Sequence, residues 1–109
     1  MNLPVQYTPG SGLNSFADKA DQFLRGEDTP SNFLDRCIAS INTQEPEVKA
    51  WVTTRLDAAR AEAKTADCRY ASGTPLSPVD GMPIGIKDVI QTRDMPTKFG
   101  SPIFDNYET

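Results

Sequence analysis

The chain lacks several features that mark common classes of protein. It contains no histidine, which excludes Ser-His-Asp and Cys-His catalysis by this chain and removes the commonest metal ligand. No apolar run approaches the roughly 20 residues that span a membrane. The first residues, Met1–Gly12, have neither the positive charge nor the apolar run of a signal peptide. We therefore expect a cytoplasmic protein that binds no membrane, metal or cofactor.

Basic residues and cysteines are also scarce. The 11 Lys and Arg residues form no cluster and are outnumbered by 15 Asp and Glu residues, which gives a net charge of -4 over 109 residues. No patch can neutralise a row of phosphates, so we expect this segment to bind no nucleic acid. Cys37 and Cys68 form no C-x-x-C pair. Two reduced thiols packed as small apolar groups are expected, and a disulfide is the open alternative.

Apolar periodicity predicts a first and a third helix. The first spans residues 14–25 and ends at Gly26. Its apolar face comprises Phe16, Ala20, Phe23 and Leu24. The third is capped by Thr53 or Thr54 and ends at Gly73. Its inner stripe comprises Leu56, Ala59, Ala63 and Ala66, whose small side chains favour close helix packing.

The second helix has the clearest local signals. Thr29 is a good N-cap, and Pro30 suits the first helical position. One face is apolar and comprises Phe33, Leu34, Cys37, Ile38 and Ile41. We expect this helix to end near Asn42 or Thr43, before Pro46.

Two segments favour strands. Residues 49–53 contain the run A-W-V, and Trp51, the only tryptophan, is expected in a core or an interface, with substrate stacking as the alternative. Pro83–Ile90 alternates in polarity, as a strand with one buried face does. The face expected to lie against a core comprises Ile84, Ile86 and Ile90.

Lys87 occupies the opposite face of this predicted strand. Gly85, two residues earlier, leaves room for another group to come close. Alternation alone favours a solvated lysine. Asp88 lies on the isoleucine side, where a carboxylate needs donors, and we expect it to tie down loop backbone.

The motif around Lys87 resembles the lysine segment of the amidase signature family. Its sequence is D-G-M-P-I-G-I-K-D-V-I, followed by D-M-P-T-K-F-G-S. The residues in register are Gly81, Pro83, Gly85, Lys87, Asp88, Pro96, Thr97, Gly100 and Ser101. The upstream segment E-P-x-x-x-A-W-V, at residues 45–52, and the alanine-rich helix after it are similar to the family as well. The resemblance therefore covers the chain from Asn14 onward.

This resemblance implies a fold and an activity. The family cleaves small-molecule amides with a Ser–cis-Ser–Lys triad, in which Lys87 would be the catalytic lysine. Both serines would lie downstream of Thr109. The implied fold class is α/β, with helices leading into strands of a mixed sheet covered by helices. Residues 1–13 would be a flexible leader, and 14–109 an incomplete N-terminal fragment of the domain.

The catalytic lysine of such a triad must be neutral to accept a proton, and burial beside the isoleucine face would favour that form. Ser101 lacks the G-x-S-x-G setting of a nucleophile, and the family places its nucleophile elsewhere.

Other functions remain open. The chain is compatible with part of a glutamyl-tRNA amidotransferase A-type subunit, with an inactive truncated amidase, and with a non-catalytic interaction segment. A homo-oligomeric full-length enzyme is also compatible with the resemblance.

Overall fold

The computed structural model describes residues 15–104, which form three α-helices and a long irregular segment. The helices are α1 (Lys19–Leu24), α2 (Pro30–Val48) and α3 (Leu56–Ala71), and a 3₁₀ turn spans Pro102–Phe104. The expected leader 1–13 and Asn14 lie outside these residues. No helix of the described part is long and apolar enough to cross a membrane.

Helix α1 is shorter than the predicted span 14–25. The chain enters it through Asp18, which has the left-handed φ of 61°. At the other end, Gly26 has a positive φ and donates to the carbonyl of Phe23, while Glu27 donates to that of Gln22. These bonds satisfy the last carbonyls of the helix, so the prediction that Gly26 ends it is confirmed. Leu24, however, is 49% exposed and does not belong to the buried face.

Helix α2 begins where the sequence predicts. The Thr29 hydroxyl accepts a hydrogen bond from the Asn32 amide at 3.1 Å, and Pro30 occupies the first turn. The predicted end near Asn42 or Thr43 is wrong, because the helix continues through Pro46 to Val48. Proline removes only the bond to the carbonyl of Asn42, which is exposed to solvent. The helix ends at Lys49, whose φ is 50°.

Helix α3 starts slightly later than predicted. Its N-cap is Arg55, without a side-chain cap, rather than Thr53 or Thr54. Its end is as predicted: Gly73 has a φ of 70° and donates to the carbonyl of Tyr70. The predicted inner stripe is confirmed, since Ala63 and Ala66 are buried and Leu56 and Ala59 pack against the core.

The core lies between α2 and α3, which run antiparallel. Their ends are joined where the backbone amide of Ser31 donates to the carboxylate of Asp67 at 2.9 Å. One apolar cluster comprises Leu34, Ile38 and Ala63; a second comprises Phe23, Phe33 and Tyr70. The second cluster attaches α1 to α3 through edge-to-face ring contacts. Both cysteines are free thiols, Cys37 half-buried and Cys68 exposed.

The predicted strands do not form among residues 15–104. Residues 49–55 and 82–87 are irregular or extended but pair with no other segment. A strand requires a neighbour to receive its backbone hydrogen bonds, and the described residues provide none. The α/β expectation is therefore met here only in its helical part.

Candidate active site

The segment that carries Lys87 is anchored to the end of α3 by Asp80. Arg69 Nε and Nη2 donate to the two oxygens of the Asp80 carboxylate at 2.8 and 2.7 Å. The Leu76 amide donates to the same carboxylate at 3.0 Å, and the Tyr70 hydroxyl donates to the Asp80 carbonyl at 2.8 Å. The hydrogen bond from Arg69 lowers the pKa of Asp80 below its ordinary value of 3.8. Asp80 is thus a buried, ionised anchor.

Gly81 continues this anchor against α2. It has a φ of 81°, and a Cβ there would lie 3.0 Å from Cβ of Pro30 and 3.5 Å from that of Ala66. Glycine tolerates both the left-handed backbone and the close contact. The start of the segment is therefore packed into the angle between α2 and α3.

The segment continues without regular secondary structure, and the Trp51 ring lies against it at Gly85. A Cβ on Gly85 would lie 3.0 Å from Cη2 of the Trp51 ring. The Trp51 backbone is held at the last turn of α2, because its amide donates to Glu45 Oε1 at 3.0 Å. The sequence predicts close approach at Gly85 toward Lys87, but the group that approaches is Trp51. Trp51 itself is 42% exposed.

Lys87 follows Gly85 by two residues and is exposed. None of the ion pairs found among residues 15–104 involves it. The expected isoleucine core beside it is wrong for this part of the chain, since Ile84 is 67% and Ile90 57% exposed. The apolar side chains of 82–90 have no sheet to pack on among the described residues, and they do not bury the Lys87 side chain.

Asp88 fixes the chain directly after Lys87. Its Oδ1 accepts from the Lys98 amide at 2.8 Å, and its carbonyl accepts from the Phe99 amide at 3.1 Å. The expectation that Asp88 ties down loop backbone is confirmed. Its second oxygen, Oδ2, is buried without a hydrogen-bond partner in the described part of the chain.

The loop after Asp88 is attached to the start of α3. Arg55 Nε lies 2.6 Å from a carboxylate oxygen of Asp94, and Arg55 Nη2 lies 2.9 Å from Glu62. Thr97 is only 2% exposed, with its hydroxyl 3.5 Å from the Ile90 carbonyl. The segment from Asp80 to Asp94 therefore returns along α3 from its C-terminal to its N-terminal end.

The remaining motif residues form a tight turn. Phe99 and Gly100 have successive positive φ values of 53° and 68°, and the Ser101 amide donates to the Lys98 carbonyl at 3.0 Å. The Ser101 hydroxyl accepts from the Ile103 amide, a local bond that fits a turn and not an activated nucleophile.

Lys87 does not line either of two clefts found among residues 15–104. One of about 390 Å³ lies around residues 54–60, and one of about 130 Å³ lies between the end of α2 and Trp51.

Sequence reasoning located Lys87 and Asp88 but missed the groups that hold their segment. These are Arg69, Tyr70 and Asp80 at one end, and Arg55 with Asp94 at the other. A basic residue in the last turn of α3, followed by a buried Asp-Gly turn, was the available signal for the first group. No short-range signal marks the second.

Comparison with known proteins gives a family match. The chain matches the family described as Amidase over residues 32–109. It is 45% identical over 82 residues to the A-type subunit of glutamyl-tRNA(Gln) amidotransferase from Chloroflexus aggregans, a match that covers 75% of this chain and 17% of that protein. The proteins of the same name from Roseiflexus sp. and Synechococcus elongatus are 40% identical over 93 residues and 34% identical over 95 residues. These matches cover 85% and 87% of this chain, and 19% and 20% of the two relatives. The chain thus spans about a fifth of the length of the curated relatives it matches, and no solved structure matches it.

Proposed function

The chain belongs to the amidase family, and we propose that it contributes the lysine of a Ser–cis-Ser–Lys site that hydrolyses amides. Lys87 is the proposed general base. The observation that carries the proposal is that the motif resembling the family's lysine segment is anchored on both sides of Lys87, at Asp80, seven residues before it, and at Asp88, directly after it. A lysine that must exchange protons with a partner group needs such a fixed backbone.

The chemistry explains why a lysine serves here. An amide has an unreactive carbonyl and a poor leaving group. In the proposed reaction the neutral amine of Lys87 takes the proton of the nucleophilic serine through the cis-serine. The serine oxygen bonds to the carbonyl carbon, the proton passes to the leaving nitrogen, and the C–N bond breaks. Water then releases the acid from the acyl-enzyme, with the oxyanion held by backbone N–H groups near the serines.

Lys87 is exposed among residues 15–104. We propose that further protein packs on the exposed side of 82–90 in the active form. Exposed apolar side chains support this, among them Met82, Ile84, Ile86, Val89 and Ile90. Covering them would desolvate the nearby amine and so favour its neutral form. Residues 14–109 would then be the N-terminal portion of a larger amidase-signature domain.

A second candidate function rests on the relatives. Those described above carry the name of the A-type glutamyl-tRNA(Gln) amidotransferase subunit, which makes transfer of an amide group to a tRNA-bound glutamate the main alternative to simple amide hydrolysis. In that case the chain would act beside other subunits; in the first it would act on a small-molecule amide, with a homo-oligomer as the proposed assembly. We propose a cytoplasmic location for both. A non-catalytic segment is the remaining alternative.

Substitution of Lys87 in the product of the complete reading frame tests the proposal. Lys87→Arg keeps the charge but cannot lose its proton near neutral pH, and Lys87→Ala removes the amine. We expect both to lower kcat/KM by about 10² to 10⁴ with unchanged melting temperatures. Lys64→Arg and Lys64→Ala, on the exposed side of α3, are the matched controls and should retain activity.

The choice of substrate separates the alternatives. Hydrolysis of an aryl amide supports the amidase, whereas amide transfer to glutamyl-tRNA(Gln) supports the amidotransferase. A Lys87→Arg variant with near-normal activity on either substrate would rule out Lys87 as the base. Absence of both activities would favour the non-catalytic segment.

A further inference from the structure

We propose that Trp51 is a positioning residue for Lys87: its indole ring holds the extended segment at Gly85 and thereby sets where the amine lies. This inference rests on the proposed function, in which Lys87 acts as the base. It assigns a role to the only tryptophan, which packs in neither apolar cluster of the core.

The contact between Trp51 and Gly85 is unusually close. A Cβ at Gly85 would lie 3.0 Å from Cη2 and 3.4 Å from Cζ3 of the indole ring. A Cβ at residue 85 would therefore require the ring to move by a few tenths of an ångström. Gly85 does not have a left-handed φ, so backbone conformation does not require glycine there. The approach of the ring does.

The position of the Trp51 ring follows from the backbone geometry at the C-terminal end of α2. The helix continues to Val48, and Lys49 then turns the chain with its left-handed φ. The Trp51 amide reaches back to Glu45 Oε1 at 3.0 Å, which fixes the backbone of Trp51 on the last turn of α2. The motif E-P-x-x-x-A-W thus works as one unit: its glutamate holds the residue whose ring covers the lysine segment.

The contact with Trp51 matters because hydrogen bonds do not hold the middle of the segment in place. Residues 83–86 make no hydrogen bond in the described part of the chain. The polar anchors lie at Asp80 and Asp88, so the stretch between them depends on non-polar contact. Lys87 follows Gly85 by two residues, about 6.5 Å along an extended chain. The ring therefore acts on Lys87 through the backbone and not by touching the amine.

Nuclear magnetic resonance of the 109-residue chain tests the positioning. In the wild type we expect the Gly85 Hα protons to show a ring-current shift and the Lys87 amide to have a rigid order parameter, about 0.85. Trp51→Ala should abolish the shift and lower the order parameter of Lys87 below about 0.6. Trp51→Phe, which keeps an aromatic ring, should retain part of both. Val52→Ala, next in sequence and exposed, is the matched control and should change neither.

Gly85→Ala tests the same contact by adding a methyl group on the side of the lysine segment. It should shift the ring and change the signals around residue 87 in the same direction as Trp51→Ala does, while helix signals and melting temperature stay unchanged. In a Trp51→Ala background the same Gly85→Ala change should have no further effect, because the clash partner is gone. Glu45→Ala should weaken the contact, and Glu45→Gln, which keeps an acceptor oxygen, should preserve it.

Kinetics connect the contact to function. In the product of the complete reading frame, Trp51→Ala and Gly85→Ala should lower kcat by at least 10-fold with little change in KM, and Trp51→Phe should recover most of it. The inference is overturned if Lys87 stays rigid in Trp51→Ala, or if kcat is unaffected while Lys87→Ala is inactive. A fully active Lys87→Ala would instead refute the proposed function, and the resonance data would still decide whether Trp51 orders the segment.

Discussion

Replacing Tyr70 with phenylalanine tests the anchor of the lysine segment. Tyr70 is 3% exposed, and its hydroxyl donates to the Asp80 carbonyl at 2.8 Å. Its ring packs against Phe23 with centroids 5.1 Å apart. Tyr70→Phe removes the hydrogen bond and keeps the ring, so it isolates one bond between α3 and the start of the segment.

The expected cost follows from that geometry. A net hydrogen bond contributes about 0.5–1.5 kcal/mol, and leaving the Asp80 carbonyl without its buried donor adds to this. We expect the free energy of unfolding to fall by about 1–2 kcal/mol, which lowers Tm by about 4–8 °C per kcal/mol in a domain of this size. Tyr70→Leu should cost a further 0.5–1.5 kcal/mol, roughly the value of an aromatic pair.

Urea and thermal unfolding, followed by far-UV circular dichroism on the 109-residue chain, measure these changes. Thr65→Ala is the control, since it removes an exposed side-chain bond to the Ala61 carbonyl and should change stability by less than about 0.5 kcal/mol. A Tyr70→Phe variant as stable as the wild type would show that the hydroxyl bond does not hold the segment. The anchor would then rest on the bonds of Arg69 and Leu76 to the Asp80 carboxylate and on the packing of Gly81.

Three further predictions concern other parts of the chain. Thr29→Ala should lower the free energy of unfolding by about 1 kcal/mol, because the hydrogen bond from the Asn32 amide is lost. Thr29→Ser keeps the hydroxyl and should not lower it. Equal losses of stability in the two variants, measured by urea unfolding, would contradict a capping role. The pKa of Asp80 is lowered chiefly by its hydrogen bond from Arg69, so its stabilisation is complete above the ordinary value of 3.8 and lost as the pH falls through the lower native value. As the pH falls below 3.8 and through the lower native value, the wild type should therefore lose more stability than Asp80→Asn, and parallel pH profiles would refute this. Ile84→Ser should change stability by less than about 0.5 kcal/mol, because the side chain is 67% exposed. A large loss of stability in thermal unfolding would instead support the predicted buried strand.

Several elements were predictable because their signals are local. Thr29 and Pro30 start α2, Gly26 ends α1, and Gly73 ends α3. Each of these signals acts through hydrogen bonds within one helical turn. The buried face of α2 follows from its 3.6-residue period. Pro46 misled the prediction because a proline weakens a helix without always ending it, and the exposed last turn tolerates one missing bond.

Of the candidate site, only the positions of its residues within the motif could be predicted from the sequence. The motif placed Lys87 and Asp88, and hydrogen bonds confirm the structural role of Asp88. The catalytic role of Lys87 stays a prediction. Its expected burial is wrong for residues 15–104, because alternation specifies which side chains share a face but not whether anything lies against that face.

By itself, then, the sequence determined the helices, their apolar faces and the family register around Lys87, since each depends on residues near one another in the chain. Only the tertiary structure decided that Trp51 covers Gly85, that Arg69 and Tyr70 hold Asp80, and that Arg55 meets Asp94. These contacts join segments that are brought together by the packing of α2 against α3. Which residues meet depends on the shape and charge of the surfaces that the fold brings together. Local sequence periodicity carries no information about these surfaces.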